Sequence, residues 1–103
     1  AQVLINILTN ARDAFRERNI QGPRVTLTIA KQAEKSVVVI ADNAGGIAAN
    51  VLGRVFEPYF TTKGPDKGTG IGLFMSRNII EKNMGGRLTV RNTTEGAEFR
   101  IEV

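Results

Sequence analysis

Between residues 24 and 42 the apolar pattern passes from alternation to an uninterrupted run, and this pair of strand signatures limits the possible folds more than any other feature. Val25, Leu27 and Ile29 alternate with threonines, the period of a half-buried strand. "SVVVIAD", residues 36–42, is a continuous β-branched run, expected of a central strand covered on both sides, and it stops at Asp42. A sheet must bury its apolar face against another layer. Two helical patterns are available for that. Leu4, Ile7, Leu8, Ala11, Ala14 and Phe15 recur at helical spacing and predict a helix from residue 2 to about 18, ended by "NIQGP". A second helix, opened by Ile71, carries Leu73, Ile80 and Met84 on one stripe and ends at Gly85 and Gly86. Leu88 and Val90, then Phe99, Ile101 and Val103, alternate around the turn "TTEG" and predict a closing hairpin. Helix, two strands, a long connection, helix and two strands make an α+β fold. The expected form is a two-layer α/β sandwich, its sheet mixed but largely antiparallel, with the helices on one face.

At 103 residues the chain is one domain, able to bury roughly two thirds of its unfolded surface. Its 42% hydrophobic and 23% charged content is that of a globular chain rather than a disordered one. The absence of cysteine rules out disulfides and thiolate metal sites, and the absence of histidine rules out Ser-His nucleophile pairs and any histidine phosphoacceptor within this chain. Net charge is +4, but Lys and Arg are scattered rather than clustered, so no nucleic-acid partner is expected. No apolar stretch approaches the ~18 residues of a membrane span, so no membrane contact by this segment and a cytoplasmic location are expected, with any anchor lying elsewhere in the parent protein. The opening "AQVLINILTNA" is helical from the start and lacks a start signal, as expected if residues 1–103 are a domain taken from a longer protein.

Four short blocks carry the chemistry. Asn6, Asn10 and Asp13 fall in one polar band of the first helix. Two readings stand: a solvated helix face, or oxygen ligands for a hard cation such as Mg²⁺, which would offset the cost of asparagines in mid-helix. "DNAGGI", residues 42–47, is either a strand-ending turn or an acceptor, Asp42, set opposite a purine amine, with Gly45 and Gly46 letting the base approach. "GTGIGL", residues 68–73, fits neither the dinucleotide fingerprint nor the P-loop. It is a glycine loop emptying into a helix N-terminus, suited to phosphate, although Gly72 can also serve close packing. In "VFEPYFTTK", residues 55–63, Phe56, Tyr59 and Phe60 read as a small satellite core, and Lys63 either as a solvated lysine or as a point charge able to close on a terminal phosphate.

In this order the blocks resemble the ATP-binding catalytic domain of bacterial sensor histidine kinases, in the superfamily shared with DNA gyrase B, a heat-shock chaperone and a mismatch-repair ATPase. "NILTNARDAF" looks like the N box, "DNAGGI" the first glycine box, "VFEPYF" the F box and "GTGIGL" the second glycine box. "TTK" is similar to the nitrogen-regulatory subgroup of these kinases. The resemblance implies ATP and Mg²⁺ as cofactors, bound between the first helix and the long connection of residues 43–70, and a family domain that starts one strand earlier than this chain. It implies Asn10 as the metal ligand, with Asn6, Asn10 and Lys63 in catalytic roles. Nucleotide contacts are implied for Asn6, Asn10, Asp13, Asp42, Ala44, Gly46, Ile47, Phe56, Phe60, Thr61, Thr62 and Lys63, and for Gly68, Thr69, Gly70, Ile71, Gly72 and Leu73. Ala44 stands where Gly is commoner in the family, and Asp13 where Lys is common.

Superfamily members that hydrolyse ATP carry a glutamate base one turn before the metal asparagine; here that position is Asn6, which has no useful basicity. The resemblance therefore implies a phosphotransferase that holds ATP for an outside nucleophile. That nucleophile would be a histidine on an upstream dimerisation domain, which would pass the phosphoryl group to a response regulator receiver domain. The alternatives are a serine kinase of the anti-sigma-factor type and a degenerate nucleotide-binding docking domain.

Overall fold

The computed structural model describes residues 2–57 and 72–103. Helix α1 spans Gln2–Arg18, strands β1 (Val25–Gln32) and β2 (Lys35–Asp42) form a hairpin, and α2 is a single turn at Ala49–Leu52. Helix α3 (Gly72–Asn78) runs into a π-helical turn, Ile79–Asn83, before β3 (Arg87–Asn92) and β4 (Ala97–Glu102). The strand order is β1-β2-β4-β3 and every pair of described strands is antiparallel. The sheet is thus the α+β arrangement expected, without a parallel pair among the described strands.

Register builds the core. Leu27, Ile40, Phe99 and Val90 are aligned across the four strands, as are Ile29, Val38, Ile101 and Leu88, so these two rows share one face. Val3 and Ile7 of α1 and Ile80 after α3 pack there with Ile40, Leu88, Phe99 and Ile101 in one cluster. The opposite face carries charge: Arg91 and Glu98 pair at 2.7 Å, and Lys35 and Glu102 at 3.5 Å. Strand β2 is therefore central, but the described helices cover it on one side, where the apolar run predicted cover on both. On its outer side Val37 is buried and Val39 half-buried between neighbouring strands.

Both helices are rotated relative to their predicted stripes. Val3, Ile7 and Ala11 are the buried residues of α1, while Leu8 faces out. In the second helix the Met84 amide bonds to the Ile79 carbonyl at 3.2 Å, which fits an extra residue into the turn. That insertion swings Met84 off the stripe, leaving it 55% exposed, and the buried line instead runs through Ser76 and Ile80.

Candidate functional site

Strand β2 ends at Asp42 because its carboxylate gathers the backbone there. Asp42 Oδ1 accepts from the Ala44 amide at 3.0 Å and from the Ala97 amide on β4 at 3.1 Å. Among the described residues no bond is drawn to Oδ2. The approach requires a bare backbone at position 96, since a Cβ on Gly96 would collide with the Asp42 carbonyl and carboxylate. Asn43 turns the other way, accepting from the Arg24 amide at 2.7 Å and donating to the Gly22 carbonyl at 3.0 Å. Gly45 and Gly46 have φ of +96° and +87°, which only glycine adopts without strain. Arg18, the last residue of α1, donates through Nη1 to the Ala44 and Gly46 carbonyls, both at 2.7 Å. Across the turn the Asn92 amide group accepts from Ile47 N at 2.8 Å and donates to Ile47 O at 2.6 Å. Residues 42–47 are therefore held by α1, β4 and the end of β3 together.

A second set of bonds ties α1 to α3. Asn6 Nδ2 donates to the Gly72 carbonyl at 3.1 Å and to Ser76 Oγ at 2.9 Å, and Ser76 Oγ in turn donates to the Gly72 carbonyl at 2.9 Å. Gln2 donates to Asn6 Oδ1 at 3.0 Å, so both amide hydrogens of Asn6 and one oxygen lone pair are engaged. A Cβ on Gly72 would meet the Asn6 carboxamide at 3.6 Å, an ordinary contact, so close packing against the described residues does not require glycine there. Asn10 follows one turn after Asn6 and is half-buried; Asp13 pairs with Arg12 at 3.5 Å.

Phe56 meets Phe99 edge to face, with centroids 6.3 Å apart, and the Arg77 guanidinium lies 5.2 Å over its ring. It therefore extends the main core, where a satellite cluster was expected. Leu73 packs on the same core. Phe60, Thr61, Thr62, Lys63, Gly68, Thr69, Gly70 and Ile71, together with Tyr59, lie outside the described residues.

Four residues that organise this region escaped the sequence reading: Arg18, Ser76, Asn92 and Gly96. Ser76 left a trace, being a hydroxyl on the apolar side of a helix, and Gly96 sits in a turn already marked. Arg18 and Asn92 left none, because an arginine at a helix end and an asparagine beside a turn are ordinary surface residues.

An open antiparallel sheet with helices packed on it matches the solved catalytic domains of histidine kinases. The chain belongs to the family of histidine kinase-, DNA gyrase B- and HSP90-like ATPases, whose model matches residues 1–103. The two-component sensor PprA of Pseudomonas aeruginosa is 45% identical over 105 residues, covering 99% of this chain and 11% of that protein. The C4-dicarboxylate transport sensor protein DctB of the same organism is 41% identical over 96 residues, covering 92% of this chain and 15% of that protein. The chain thus corresponds to a small part of these curated relatives. Among solved structures, the nucleotide-free catalytic domain of histidine kinase ThkA superposes with a TM-score of 0.81 at 32% identity, covering 99% of this chain and 63% of that one. ThkA in complex with the response regulator protein TrrA superposes at 0.76 with 28% identity, covering 99% of this chain and 27% of that one.

Proposed function

We propose that this chain binds Mg-ATP and serves as the phosphoryl-donating half of a two-component sensor kinase. The observation that carries the proposal is the turn at 42–47, which is rigidly held while leaving one carboxylate oxygen of Asp42 available. Oδ1 is committed to the Ala44 and Ala97 amides, so Oδ2 would accept from the exocyclic amine of adenine. Gly72, at the start of α3, is a bare position where a phosphate could approach the backbone closely.

The donor chemistry suits magnesium. The amide oxygen of Asn10 is a hard, neutral ligand, and Mg²⁺ completes its shell with water and phosphate oxygens. When bound, the ion would neutralise charge on the phosphates. Asn6 would act by fixing α3 against α1, holding the start of the second helix, where the glycine loop ends, at a set distance from Asn10.

With no histidine in the chain, the nucleophile has to be brought to the nucleotide by another domain. Its imidazole nitrogen would attack the γ-phosphorus, the bond to the β,γ-bridging oxygen would break, and ADP would leave with that electron pair. This chain would contribute positioning and electrostatics, with Lys63 meeting the terminal phosphate. The names of the structural neighbours favour histidine over serine as acceptor, and a response regulator as the next partner, because ThkA is a histidine kinase and one of its structures is bound to a response regulator. Thermal unfolding with and without Mg-ATP tests the reading: at 100 times the dissociation constant the nucleotide should add about 2.7 kcal/mol of stability. An unchanged midpoint at millimolar Mg-ATP would refute it.

A further inference from the structure

We propose that Arg18 is a positioning residue for the base-reading turn and thereby sets the preference for a 6-amino over a 6-oxo purine; this rests on the nucleotide reading above. Arg18 Nη1 draws together two carbonyls two residues apart, those of Ala44 and Gly46, through charge-assisted bonds of 2.7 Å. Their convergence on one nitrogen depends on the glycine between them. Gly45 has φ +96°, and a Cβ there would stand 3.2 Å from Nη1 itself, so the bare position keeps space for the guanidinium. The hold passes directly to the recognition group. The Ala44 carbonyl is bound to Arg18, and the Ala44 amide donates to Asp42 Oδ1 at 3.0 Å. Releasing Arg18 frees one flank of that residue and loosens the Ala44 bond to Oδ1, leaving the carboxylate aimed by the Ala97 amide alone.

Arg18 also belongs to the helix that carries Asn10, eight residues earlier, or about 12 Å along the axis. Its side chain links the C-terminal end of α1 to the end of β2, fixing the separation between the proposed metal ligand and the proposed base acceptor. Asn92 restrains Ile47 from the opposite side and would preserve the outer half of the turn when Arg18 is replaced. The expected defect is therefore in base discrimination rather than in folding.

The test compares affinities for Mg-ATP and Mg-inosine triphosphate, which carries a carbonyl in place of the amine, by calorimetric titration of the protein. The native protein should prefer ATP. Arg18→Met, which keeps the apolar arm but no donor, should lose about tenfold in ATP affinity, a partial loss of a hydrogen bond to a charged group, while inosine triphosphate binding changes little. Arg18→Gln, a shorter neutral donor, should give an intermediate ratio and serves if the Met variant does not fold. An ATP-to-inosine triphosphate ratio equal to the native one in either folded variant, even with a lowered unfolding midpoint, would reduce Arg18 to a structural role and overturn the inference alone. A native protein that binds neither nucleotide, or both equally, would remove the Asp42 assignment and this inference with it.

Discussion

Asp42 holds the fold through one carboxylate oxygen and, in the proposed reading, would meet the ligand through the other. Asp42→Asn retains an oxygen for the Ala44 and Ala97 amides and replaces only the second acceptor with a donor. Its unfolding midpoint should stay near that of the native protein while ATP affinity falls by about 1.5–3 kcal/mol, measurable by titration; equal affinity would place the adenine contact elsewhere. Gly96 tests the support beneath it. Gly96→Ala pushes a methyl against backbone and carboxylate oxygens that have little room to retreat, so urea unfolding should show a loss of about 1–3 kcal/mol accompanied by weaker nucleotide binding. Asp42 was legible in the sequence as a carboxylate ending a strand. Gly96 was legible only as a turn glycine, since its reason for being bare is a contact with a residue 54 positions earlier.

At the level of elements, the link between α1 and α3 decides how the site is framed. Ser76 is 0% exposed and receives the Asn6 amide, so the two side chains should be coupled. A double-mutant cycle with Asn6→Ala and Ser76→Ala, read by chemical denaturation, should give an interaction energy of about 1 kcal/mol; additivity would mean that the bond contributes nothing net. The existence of α1, both hairpins and the second helix followed from periodicity, because local spacing alone distinguishes a helix face from a strand face. The faces themselves were read less well. Leu8 and Met84 were assigned inward and lie outward, while Val3 and Ser76 lie inward. A stripe fixes a helix only to within a residue or so, and the π-helical turn at Ile79–Asn83 adds a rotation that no residue type announces.

Across the whole molecule, stability rests on one side of the sheet. Leu88 is 1% exposed at the centre of the shared core, and Leu88→Ala should cost about 2–5 kcal/mol in equilibrium unfolding, a large fraction of the about 5–15 kcal/mol of a typical domain. A loss below about 1 kcal/mol would contradict the single-core arrangement. The ion pairs of the outer face contribute far less: Arg91 is 73% exposed, and although its hydrogen bond to Glu98 raises the guanidinium pKa, solvent screens such pairs. The sequence by itself determined the order of elements and the pairing of strands into hairpins, and marked four candidate blocks of chemistry, because propensity, period and residue type are local properties of the chain. Only the tertiary structure decided that Arg18, Ser76, Asn92 and Gly96 belong to the site. Their roles are hydrogen bonds and close approaches between segments distant in sequence, and such contacts exist only once the sheet has set its register.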